Sequence, residues 1–71
     1  MPRVPSLRRV RESRFLTQQE LAKRAGIHRV TIANLEGGRE EARFSTLRKL
    51  AAALDVEPAA LVQDTRKPRH R

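Results

Sequence analysis

The sequence contains no cysteine, tryptophan or tyrosine, and only two phenylalanines, two histidines and three glycines. Without cysteine there is neither a disulfide framework nor a thiolate zinc site to staple a small chain. Without tyrosine or tryptophan the chain lacks the aromatic platform on which single-stranded nucleic acid stacks. No apolar run is long enough to span a bilayer or to serve as the core of a signal peptide. An amphipathic anchor rich in large apolar groups is missing too. The expectation is a cytoplasmic protein with no membrane partner and no cofactor or metal. An enzyme is not expected either. There is no glycine-rich phosphate loop, and Glu40 and Glu41, being adjacent, cannot face one another as an acid–base pair does; they read as a solvated loop.

What the sequence does have is positive charge. Sixteen Lys+Arg stand against eight Asp+Glu, a formal net charge of +8 over 71 residues. Such an excess favours a polyanionic partner. Arginine carries most of it, and the planar guanidinium is the better fork for phosphate and for guanine. The length allows one small domain near the lower limit of independent stability. Regular helix packing or a second subunit then has to supply what staples do not.

Residues 1–5, MPRVP, are proline-rich and read as a flexible, non-helical arm. Ser6 is a suitable N-cap for a first helix with Leu7 and Val10 on its apolar edge. Thr17, with Glu20 three residues on, forms a capping box for a second helix that turns Leu21, Ala22 and Ala25 inward. Gly26 stands where a left-handed residue ends it. A third helix is expected from about His28 to Glu36, stopped by Gly37 and Gly38. Ser45 is a plausible cap for a fourth, with Leu47, Leu50, Ala51 and Leu54 inward and Asp55 breaking it. Pro58 suits the first position of a short fifth helix. Residues 63–71, QDTRKPRHR, lack apolar periodicity and read as a disordered basic tail that adds non-specific affinity for a polyanion such as nucleic acid; His70 within it reads as an ordinary tail residue. The prediction is all-α: five short helices around one core spanning 6–62, with two loose ends.

The third helix poses a question. At 100° per residue Ile32 and Leu35 point one way, and Val30, Ala33, Asn34 and Gly37 point roughly opposite, with Arg29 and Thr31 on the flanks. Val30 therefore has no core to join. A helix entering the major groove needs such a face. Small residues permit close approach, Asn bonds adenine, Arg forks onto guanine, and an apolar group touches the thymine methyl. The Gly-Ile-His corner before it, with small Ala22 at the helix crossing and Ile27 able to plug the core, has the form of a DNA-binding helix-turn-helix.

From Leu7 to Val62 the chain resembles the phage-repressor and Cro-type helix-turn-helix family, also called the xenobiotic response element family. The pieces that carry the likeness are LRRVRESRFLTQQELAKRAG, IHRVTIANLEGGR and TLRKLAAALDVEPAAL. With Gln18 as the first motif position, Leu21, Ala22, Ala25, Gly26, Ile27, Ile32 and Leu35 are residue types the family uses in that register. Four positions depart from it. Phe15 stands where the family often has glycine, His28 where it has a Ser or Thr cap, Asp55 where glycine is frequent and Glu57 where serine is frequent.

The resemblance implies a lambda-repressor-like fold and a regulator that binds double-stranded DNA, with repression the more usual outcome and activation known for controllers of restriction–modification genes. It implies base reading by Arg29, Val30 and Asn34, with His28 at a base edge or phosphate. It implies backbone contacts from Gln18 and Thr31, and backbone or narrow-groove contacts from Arg39 and Arg43. Arg11 and Glu36 match a family pair that forms a partly buried ion bridge. A homodimer on an inverted repeat is expected, joined through helix five and the end of helix four. The alternative is an antitoxin or adaptor module that uses the same fold to bind a protein, with Phe15, Leu61 and Val62 as its surface. Steep weakening by salt would favour DNA over an apolar protein contact.

Overall fold

The computed structural model describes residues 3–63. Five α-helices follow one another: α1 (Leu7–Ser13), α2 (Gln18–Ala25), α3 (Arg29–Glu36), α4 (Phe44–Leu54) and α5 (Pro58–Val62). No strand occurs among the described residues. The expectations placed on residues 64–71, including His70, lie outside the described residues.

α2 and α4 form the centre, with α3 against α2, α5 against α4, and α1 closing over α3 and α5. Their inward faces meet in one core in which Leu7, Leu21, Ile32, Leu50, Leu54 and Leu61 are fully buried. Each such side chain contributes roughly 1.5–3 kcal/mol by leaving water. Ala22 and Ala25 let α2 approach its neighbours closely, and Ile27 packs against the core from the corner after α2. Val4 is also buried among these residues, so the loose arm read from MPRVP is corrected at this position. Proline composition predicts the non-helical backbone there but not the burial of the single apolar residue between the two prolines.

Four helix ends use one closing device. After each helix a left-handed residue lets two backbone N–H groups turn back to the last carbonyls. Phe15 and Leu16 donate to Glu12 and Arg11; Gly38 and Arg39 donate to Leu35 and Asn34; Asp55 and Val56 donate to Ala52 and Ala51. Ile27 closes the same way on Ala22 after left-handed Gly26. Glycine supplies the positive φ at Gly26 and Gly38. Phe15 (φ 59°) and Asp55 (φ 58°) adopt it with a side chain in place.

Helix starts depart from the sequence reading in two places. Ser6 precedes α1 but makes no capping bond. It is buried, its N–H donates to the Leu61 carbonyl and its hydroxyl donates to the Gln63 carbonyl. A buried hydroxyl must find a partner, and here the nearest need is the exposed end of α5. α4 begins one residue before Ser45, with Arg43 as its uncapped N-cap residue, which puts Ser45 in the first turn.

Candidate nucleic-acid interface

The capping box of α2 is complete. Glu20 N–H donates to Thr17 Oγ1 at 3.0 Å, and Thr17 N–H donates to Glu20 Oε1 at 2.8 Å. The backbone bond from Thr17 holds the Glu20 carboxyl below its ordinary pKa. This fixes where α2 starts, and Gly26 (φ 70°) fixes where it stops. His28 then serves as the N-cap residue of α3, with no side-chain capping bond, and α3 itself begins at Arg29.

α3 carries Ile32 and Leu35 into the core, 0% and 3% exposed, while Val30 stands 57% exposed on the other side. Arg29 is exposed; Thr31, Ala33 and Asn34 are half-buried on the flanks of the outward face. The closing turn after α3 brings Arg39 and Glu40 back beside Asn34. Arg39 Nη1 donates to Asn34 Oδ1 at 3.4 Å, and Asn34 Nδ2 donates to Glu40 Oε1 at 3.2 Å. Arg43 is exposed, and with Thr31 and the α3–α4 loop it lines an open groove of about 350 Å³.

The far end of α3 is tied from below. Arg11 forks onto Glu36, Nε to Oε2 at 2.6 Å and Nη2 to Oε1 at 3.1 Å, and Nη1 donates to the Leu16 carbonyl at 2.7 Å. The Glu36 bond outweighs burial and raises the Arg11 pKa above its ordinary value. Gln18 joins as a third member, donating from Nε2 to Glu36 Oε1 at 3.0 Å. From sequence Gln18 has only an outward role, and the structure adds this inward bond.

Two residues near this surface escaped the sequence reading. From sequence Glu40 reads only as part of a solvated loop, yet the Gly37-Gly38 stop is the signal that folds it back onto α3. Arg3 carries no such signal. It donates to the Gly38 carbonyl at 2.8 Å and lies 3.8 Å from Glu41. Leu61 is fully buried and Val62 half-buried, so Leu61 is corrected out of the apolar surface expected for a protein partner. Phe15, 92% exposed, remains on the outside. Among the described residues no group of three or more His, Cys, Asp or Glu is placed to hold a metal, and no helix is long and apolar enough to cross a membrane.

Two short helices joined at a left-handed corner, the second locked from beneath and open above, define a helix-turn-helix protein. The helix-turn-helix family (HTH_3) matches residues 7–61, and the chain belongs to it, a family of DNA-binding transcription regulators. Over 56 residues it is 36% identical to the immunity repressor protein of Bacillus phage phi105, a match covering 79% of this chain and 39% of that protein. The chain thus spans about two fifths of the phage repressor's length. It is 39% identical over 57 residues to the uncharacterized HTH-type transcriptional regulator y4dJ of Sinorhizobium fredii, covering 80% of this chain and 74% of that one. Among solved structures it is similar to the restriction-modification controller protein C.AhdI from Aeromonas hydrophila, with a TM-score of 0.75 and 36% identity over 78% of this chain and 83% of the other.

Proposed function

We propose that this protein regulates transcription by laying α3 in the major groove of a specific operator, binding as a homodimer to an inverted repeat and acting as a repressor. The observation that carries this reading is the orientation of α3: Ile32 and Leu35 inward, Val30 exposed opposite them. Arg29, Val30 and Asn34 then meet base edges, with His28 at the leading end of the helix. Thr31, Arg39 and Arg43 meet the backbone, as does Gln18 at the N-terminus of α2, where helix amides favour a phosphate. The formal charge of +8 supplies the sequence-independent attraction. One module of this size covers little DNA. Two modules on half-sites about one helical turn, roughly 34 Å, apart double the contact.

The test is selection from random duplexes at two salt concentrations, followed by sedimentation of the complex. A two-fold symmetric site, two protomers per duplex and affinity falling steeply with salt are the expected results. Feeble, indiscriminate binding would remove the reading. A second reading, docking to a protein, is favoured by one observation, the nearly complete exposure of Phe15. It predicts binding that salt leaves largely unchanged.

A further inference from the structure

The recognition face of a DNA-binding protein is expected to attract phosphate, yet a carboxylate sits on this one. Glu40 accepts from Asn34 Nδ2 at 3.2 Å, and no Lys or Arg pairs with it among the described residues. It is exposed, so nothing in the core requires it. Its position is not accidental to the local backbone. Gly38, at φ 75°, turns the chain, the Arg39 N–H returns to the Asn34 carbonyl at 2.9 Å, and the next residue, Glu40, is delivered against the Asn34 side chain.

We infer that Glu40 is a specificity-determining positioning residue that acts through Asn34. This rests on the DNA-binding reading above. A carboxylate accepts and never donates. Its bond therefore dictates which side of the Asn34 amide is nitrogen and which is oxygen. It occupies one of the two Nδ2 hydrogens. The other hydrogen remains for an acceptor on a base, and Oδ1, held only by a 3.4 Å contact from Arg39, remains for a base donor. An acceptor beside a donor is the major-groove signature of adenine, N7 next to the N6 amino group. The same negative charge opposes phosphate on any duplex, so it lowers affinity without itself altering base choice. Glu40 thus does two things: it sharpens base choice by orienting Asn34, and it weakens the sequence-independent attraction to every duplex.

Three variants separate these effects. Glu40→Ala removes both bond and charge. Glu40→Gln removes the charge and makes the partner able to donate as well as accept. Glu40→Asp keeps the charge on a shorter arm that draws back from Asn34. Each is measured on the selected operator, on the operator altered at the base pair read by Asn34, and on random duplex. Thermal midpoints are recorded alongside, because an exposed loop substitution that only disturbed folding would move those instead.

The expected result is that Glu40→Ala and Glu40→Gln bind random duplex more tightly than the parent. All three should lose discrimination at that base pair by about fivefold or more, the lower end of what one bidentate base contact provides. In an Asn34→Ala background Glu40→Ala should change discrimination no further. Unchanged discrimination in Glu40→Ala, while Asn34→Ala still abolishes it, overturns the proposal and leaves the DNA-binding reading intact. A parent protein that shows no operator preference removes both.

Discussion

Arg11 and Glu36, on helices α1 and α3, face each other through two parallel hydrogen bonds with their side chains 10% and 5% exposed. The pair sits at the C-terminal end of α3, where a carboxylate is disfavoured by the helix dipole unless a cation offsets it. It ties the end of α3 to α1. A pair this buried need not add net stability, because taking both charges out of water costs about what their attraction returns.

Breaking one side should therefore be harsher than removing both. Arg11→Met leaves the Glu36 carboxylate nearly buried, with Gln18 as its remaining side-chain partner. It should cost about 3–5 kcal/mol in urea unfolding. The double variant Arg11→Met, Glu36→Leu should recover most of that loss. If the double variant were no more stable than the single one, the pair would have a net stabilising role.

The two left-handed corners at Phe15 and Gly26 invite opposite substitutions. Phe15 adopts φ 59° with a side chain that packs on almost nothing. Phe15→Gly should stabilise the fold by about 0.5–1 kcal/mol, the relief of the left-handed penalty less the added freedom of the unfolded chain. Gly26 has φ 70° and open space where a Cβ would stand, so Gly26→Ala meets no steric neighbour and should cost about 1–2 kcal/mol from the backbone alone. Chemical unfolding midpoints of the two variants check both signs.

The capping box predicts a pH dependence. The Glu20 carboxyl is held below its ordinary pKa by the Thr17 backbone bond. A group depressed in the folded state contributes stability above its unfolded pKa and loses it as pH falls through the folded one. Glu20→Gln keeps an acceptor but no charge. Thermal midpoints of parent and variant should differ at pH 7, and the gap should close as pH drops below the carboxylate range. A gap that persists at pH 2 would contradict the assignment.

On DNA, Arg29→Ala and Asn34→Ala should each cost about 1–3 kcal/mol on the operator and relax base choice at one position. Gln18→Ala should weaken all duplexes about equally and leave the salt slope nearly unchanged, because a neutral amide displaces no counterion from a phosphate. Titrations against operator and random duplex over a salt series read both quantities. A Gln18→Ala effect that followed the operator sequence would reassign that residue to base reading.

Much of this is legible in the sequence alone. The helix-turn-helix follows from local rules: the Thr17–Glu20 box, the glycine at position 26 and the opposed directions of Ile32 and Val30 are each set by residues within one or two turns. Local rules fail where distant segments meet. Ser6 looks like a cap because serine caps helices, but the Leu61 and Gln63 carbonyls reach it from the other end of the chain. Val4 is buried by helices whose packing no local pattern encodes. Glu40 is the solvated loop residue expected, but its contact is hidden for a different reason. Charged loop residues are usually solvated, and only the turn geometry after Gly38 reveals that this one bends back onto Asn34.

The Ser6 clasp has a practical side. Because its amide and hydroxyl hold the carbonyls of Leu61 and Gln63, the start of α1 is stapled to the end of α5. Loss of that one hydroxyl would therefore let the first and last helices loosen together.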